Sequence, residues 1–254
     1  MKILSRPWLL SSFRGPVSRL RYGQLFRKIH SDGIQWLTTI SEYHCDPHTK
    51  KYLPWGFLVY RCTYRDDKAW QRMVQYIQDR AQSWLESELR TDLIPCHEPV
   101  FLNDKTKFDG ATSHDVRDHF DILAQAQTSQ INHPSWFKYA ARYPFCVFVD
   151  EICLESLVHM EDDPVVKVLC RGSGYLPPEE RNYQVHPEWE DGATDDPDEY
   201  VGWIYVRAGE YVWWYDWLCE DWQWPDMYNR PPILLFQDQD KWPGFWRKMQ
   251  KRNS

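Results

Sequence analysis

From Trp55 to Tyr64 the chain reads WGFLVYRCTY, a run of apolar, β-branched and aromatic positions with little polar interruption. Such a run predicts a central strand. The polarity then switches. Asp66 and Asp67 supply an N-cap signal, and Trp70, Met73, Val74, Ile77, Ala81, Trp84 and Leu85 recur at helical spacing. That spacing predicts one long helix with its apolar face on a sheet. EPVFLND (98–104) predicts a short second strand. Ser113 is placed to cap a second helix, with Val116, Phe120 and Leu123 on its inner face. PFCVFVD (144–150) predicts a third strand, and EICLESLVHM after it either prolongs the strand or turns into a short helix. PVVKVLC (164–170) and GWIYVRAG (202–209) predict a fourth and a fifth. Near the end, Trp213, Trp214, Trp217 and Leu218 fit a helix, and Pro225, Pro231 and Pro232 break any helix beyond it.

The order strand, helix, strand, helix, then strands predicts an α+β fold: a mixed or antiparallel sheet of about five strands with helices packed on one face. A doubly wound α/β sheet is the alternative. Residues 1–40 are expected to form a basic N-terminal arm or a targeting segment. Residues 41–254 are expected to form a single α+β domain, with an acidic loop at 175–200 and a Trp-rich C-terminal segment.

Composition adds less than pattern. The 254 residues are 43% hydrophobic, enough for a substantial core. No apolar run approaches the ~20 residues that span a bilayer, so no membrane association is expected. The net charge of −7 is unevenly spread: seven cations and no acids in 1–31 leave about −14 for the rest. Lys241, Arg247, Lys248, Lys251 and Arg252 form a second basic cluster. An acidic body with basic ends does not look like a general nucleic-acid coat. The seven cysteines are odd in number and show no C-x-x-C spacing, as expected of reduced thiols in an intracellular protein. A cytoplasmic location is expected, with a mitochondrial one as the alternative because 1–31 is Arg-rich and acid-free.

Several chemistries lack their motifs. There is no Walker-type loop and no dinucleotide fingerprint, and RGSG (171–174) is a turn more often than a phosphate cradle. No nucleophile elbow occurs. His44, Cys45 and His48 are too few to predict a metal centre, and no cofactor is expected. Arg61, Arg65 and Arg207 lie at strand edges; if they converge, they offer an anion site or a contact for tRNA phosphates.

The acidic stretch VDEICLES stands out. Asp150 ends an apolar strand, where functional groups of open sheets gather. On a helix, Glu151 and Glu155 are one turn apart and share a face. Asp150, Glu151 and Glu155 are therefore the candidate catalytic residues. They would grip a cation such as a guanidinium, or raise one another's pKa and move protons. A second acidic run places Asp195, Asp196 and Glu199 before the fifth strand.

WGFLVYRCTYRDDKAWQRM, VFVDEICLESL and GWIYVR together resemble a large group of uncharacterised fungal proteins over roughly residues 54–236. Within that territory the chain resembles the fungal arginine-containing cyclodipeptide synthases. The resemblance implies an enzyme that takes aminoacyl groups from two charged tRNAs, one of them arginyl, and closes a diketopiperazine. It also implies an essential D-D-x-x-E motif. Asp195, Asp196 and Glu199 fit that motif literally; Asp150, Glu151 and Glu155 fit it loosely, in a more suitable setting. The expected partner is charged tRNA. The alternative function is a non-enzymatic interaction module that holds a protein partner through the Trp-rich C-terminal segment.

Overall fold

The computed structural model describes residues 38–45, 52–129, 140–160, 163–181, 200–220, 223–234 and 242–247. All of them belong to one unit, Trp36–Ser254. The basic stretch 1–31 lies outside the described residues.

The first described helix is α1 (Thr38–His44). Strand β1 (Leu58–Arg61) is buried at every position. It has a neighbour on each side: β2 (Val100–Leu102) and β3 (Phe145–Val149) both run parallel to it. β4 (Val165–Cys170) is antiparallel to β3, and β5 (Trp203–Arg207) is antiparallel to β4. The spatial order is β2-β1-β3-β4-β5. This mixed five-stranded sheet with helices is the α+β class that the hydrophobic pattern predicts.

Helix α2 (Asp67–Ser87) connects β1 to β2. After a single-turn α3 (Lys105–Phe108), helix α4 (Ser113–Ser129) returns the chain across β1 to β3. Val59 aligns with Phe101 and Val147, so these three side chains share a face. Trp70 of α2 meets Phe101 edge-on at 6.2 Å, which puts α2 on that face. Tyr60 and Phe148 point the other way and pack with Val116, Phe120 and Ala124 of α4. Helices thus cover both faces of the sheet, which corrects the expectation of a single covered face. The reason lies in β1: parallel to a neighbour on both sides and buried at every position, it has no face turned to water.

The remaining elements close the α2 side. β3 runs directly into α5 (Glu151–His159). Helix α6 (Tyr211–Leu218) sets Tyr215 4.7 Å from the Phe57 ring, and the Phe57 backbone N–H donates to the Tyr211 hydroxyl at 2.8 Å. Trp213, Trp214 and, from the short α7 (Trp224–Met227), Trp224 are buried.

Local signals explain the helix starts. Asp66 accepts from the Ala69 N–H at 2.9 Å, as its sequence position predicts. The cap of α4 is Thr112 rather than Ser113: Thr112 Oγ1 accepts from Asp115 N–H, and Asp115 accepts from Thr112 N–H. This reciprocal box places the helix start one residue earlier than expected. RGSG is a packing device. Gly174 (φ +67°) and Gly202 (φ +73°) stand so close that a Cβ on Gly202 would lie 2.1 Å from the Ser173 carbonyl oxygen.

Candidate functional site

β1 and β3 end side by side, with Arg61 aligned to Val149. β1 leads into α2 and β3 into α5, so both exits flank the carboxyl ends of these two neighbouring parallel strands. Open sheets gather functional groups in a crevice outside the carboxyl ends of their strands. Here the crevice is a cleft of about 200 Å³. Thr63, Arg65, Asp66, Ala69 and Arg72 line it from the β1–α2 side; Glu151, Leu154, Glu155 and Val158 line it from α5.

The three candidate acids divide between two environments. Asp150 caps α5 by accepting from the Cys153 N–H at 3.1 Å. Its second oxygen meets Lys167 Nζ at 2.7 Å. Lys167 is fully buried, while the Asp150 side chain keeps 19% of its surface exposed. The ammonium sits 4.2 Å from the Trp203 ring centre, with Tyr205 and Phe148 at 5.2 and 5.3 Å. An apolar setting of this kind tolerates a cation only with a counter-ion and ring faces to replace water. Burial acts to raise the Asp150 pKa, but Lys167 and the helix N–H outweigh it and hold the carboxyl below its ordinary value.

Glu151 and Glu155 lie on the cleft side of α5, one turn apart. Glu155 receives a forked pair from Arg247, Nε at 2.8 Å and Nη2 at 3.0 Å, and the Trp246 indole N–H at 2.5 Å. Glu151 joins two arginines: Oε1 bonds Arg65 at 2.5 Å, and Oε2 lies 3.4 Å from Arg247. Partial burial works to raise the Glu155 pKa, yet its Arg247 and Trp246 hydrogen bonds hold it below the usual carboxylate range. Mutual elevation of carboxyl pKa values, one expectation from the sequence, does not occur here. Asp150 has Lys167 as its counter-ion and Glu155 has Arg247, and each cation favours the ionised carboxylate it meets.

The arginines do not converge. Arg61 is buried, donates to the Thr63 carbonyl at 2.9 Å, pairs with Asp67 and lies 4.2 Å from the Tyr64 ring centre. Arg65 is 78% exposed at the cleft rim. Arg207 pairs with Asp163 and Glu210 beyond β5. The proposed anion site of these three residues is thereby corrected: two are committed to internal ion pairs, and only Arg65 reaches the cleft. Asp195, Asp196 and Glu199 lie outside the described residues.

Other candidate chemistry is absorbed by packing. His44 Nδ1 is 3.2 Å from the Pro54 carbonyl, its Nε2 is 3.0 Å from the Tyr215 hydroxyl, and His48 lies outside the described residues. Among the described residues, no group of three or more His, Cys, Asp or Glu is placed to hold a metal ion. Burial pushes up the thiols of Cys62, Cys146, Cys153 and Cys219, the opposite of what a nucleophilic thiolate requires. Trp213 and Trp214 of the Trp-rich segment are buried and belong to the core, while Trp217 is half-buried. No helix among the described residues is long and apolar enough to cross a membrane.

Two site residues escape sequence reasoning as participants. Lys167 is visible as a lone cation inside PVVKVLC, but its partner is set by the β3–β4 register. Arg247 is visible only as charge in the C-terminal cluster. No family model, no curated protein and no solved structure matches the chain.

Proposed function

We propose that this protein is an aminoacyl-tRNA-dependent acyltransferase that forms an arginine-containing diketopiperazine in the cleft between β1–α2 and α5. The observation that carries this reading is the guanidinium of Arg247 held by Glu155 and Glu151. Two carboxylates one helical turn apart on the same guanidinium make a receptor for a planar bidentate cation. An arginyl side chain offers the same group.

The chemistry balances without an energy cofactor. The α-amine of one aminoacyl group attacks the ester carbonyl of the other. One amide bond forms, one ester bond to tRNA breaks, and the amine's proton ends on the departing ribose hydroxyl. A second attack of the same kind closes the ring and releases the second tRNA. In this reading Glu155 and Glu151 bind and orient the arginyl group as ions rather than serving as proton donors, in keeping with the lowered pKa of Glu155. Arg65, Lys68 and Arg72, exposed on the first turns of α2 and just before it, offer counter-charge for tRNA phosphates. Asp150 acts through α5: pinned by Lys167, it sets the start of the helix that carries both glutamates.

The test is incubation of the purified protein with arginyl-tRNA and each other charged tRNA in turn, followed by mass spectrometry. An arginine-containing cyclic dipeptide is the expected product, and Glu155→Gln should lower its yield about tenfold or more. Absence of any such product from the wild-type chain and from Arg247→Ala overturns the proposal.

A further inference from the structure

The C-terminal segment brings Trp246 and Arg247 to Glu155 from more than 90 positions away in sequence. Trp246 is buried in the core against α5, and its ring stacks on His159 at 4.7 Å with 10° between the planes. The backbone just before it is also close: a Cβ on Gly244 would lie 3.4 Å from Ile152 Cδ1. Trp246 anchors the segment, and Arg247, with 24% of its side chain exposed, reaches the two glutamates that line the cleft. A residue needed only to fasten the segment would not have to engage both cleft carboxylates, since the indole is already seated.

We infer that residues 242–247 form a strap whose Arg247 guanidinium is an internal occupant of the site for a cationic substrate group, displaced when that group binds. This rests on the proposed role of the cleft and concerns its regulation. The strap keeps Glu151 and Glu155 paired and oriented in the empty enzyme. It also lowers the apparent affinity for any incoming guanidinium, because only the released fraction is competent to bind. Exchange of one guanidinium for another leaves the charge of the site unchanged, so displacement does not bury an unpaired carboxylate.

The experiment uses the full chain with arginine amide as the cationic probe and citrulline amide as its neutral counterpart. Calorimetry is expected to show arginine amide binding Arg247→Ala about tenfold more tightly than wild type, the scale of one charge-assisted contact. Citrulline amide should bind neither, and Glu155→Gln should abolish binding in both backgrounds. Hydrogen exchange on the wild-type chain needs no variant: saturating arginine amide should speed amide exchange across 242–247. If arginine amide binds wild type and Arg247→Ala equally and exchange in 242–247 does not change, the strap is overturned while the cleft reading stands. If it binds neither protein, the cleft reading and the strap both fall.

Discussion

At the scale of single residues, the buried Lys167–Asp150 pair bears directly on stability. The lysine is wholly buried and has its charge balanced by one carboxylate and three aromatic faces. Removing one member of such a pair leaves the other uncompensated, which costs more than the pair contributes. Lys167→Met should therefore destabilise the protein by about 3 kcal/mol in urea unfolding. The double variant Asp150→Asn, Lys167→Met should recover part of that loss, since no unpaired charge remains. If the single and double variants unfold at the same urea concentration, the pair is not coupled as described. The sequence displays this lysine as a polar interruption in an apolar strand, which marks it as unusual. It does not display the partner, because Asp150 lies 17 positions earlier and meets it only through the register that aligns Phe148 with Lys167.

At the scale of elements, the chain is largely legible. WGFLVYRCTY, PFCVFVD, PVVKVLC and GWIYVRAG each contain the strand expected, and the helical apolar spacing after Asp66 is the buried face of α2. EICLESLVHM resolves to helix because Asp150 accepts a hydrogen bond from Cys153 N–H and so caps a turn instead of continuing the strand. The cap of α4 lies one residue before the position the sequence suggests, since Ser113 and Thr112 are both acceptable caps and only the return bond from Asp115 separates them. Thr112→Ala should cost about 1 kcal/mol of stability by thermal or urea unfolding. Arginine amide binding should be unaffected, because neither Thr112 nor Asp115 lines the cleft.

At the scale of the whole molecule, buried histidines set the response to acid. Burial, and then Arg142, pushes His44 down to about 3. Burial pushes His97 down to about 4, and burial followed by Arg117 pushes His114 down to about 4. All three are neutral in the fold but take up protons near pH 6.5 once unfolded. The unfolded chain then binds more protons, so stability falls as pH drops below 6.5. Asp216 works in the opposite direction. Burial raises it to about 6, the folded state holds its proton more tightly, and acidification from about 6 to about 4 is stabilising through this group. Three protons against one leave a net difference of just under two, a loss of about 2.5 kcal/mol per pH unit between roughly pH 6 and 4.5. Urea midpoints at pH 7, 6 and 5 should therefore fall in that order; a midpoint at pH 5 equal to or above that at pH 7 contradicts the assignment of these histidines as neutral.

The sequence by its own pattern yields the five strands, the longer helices and the fold class, because period-two and period-3.6 spacing and capping chemistry are local properties; the short α1, α3 and α7 carry too little periodicity to read. It also isolated VDEICLES as an acid run at a strand end. The separation of the acids emerges only from the folded chain: Asp150 turns to a buried lysine on the neighbouring strand, and Glu151 and Glu155 turn to a cleft and to Arg247. The tertiary structure decided, too, that helices cover both faces of the sheet and that Trp213 and Trp214 are core. The physical reason is the same in each case. Strand order, register and the docking of the C-terminal segment are long-range pairings, and they settle which charge meets which.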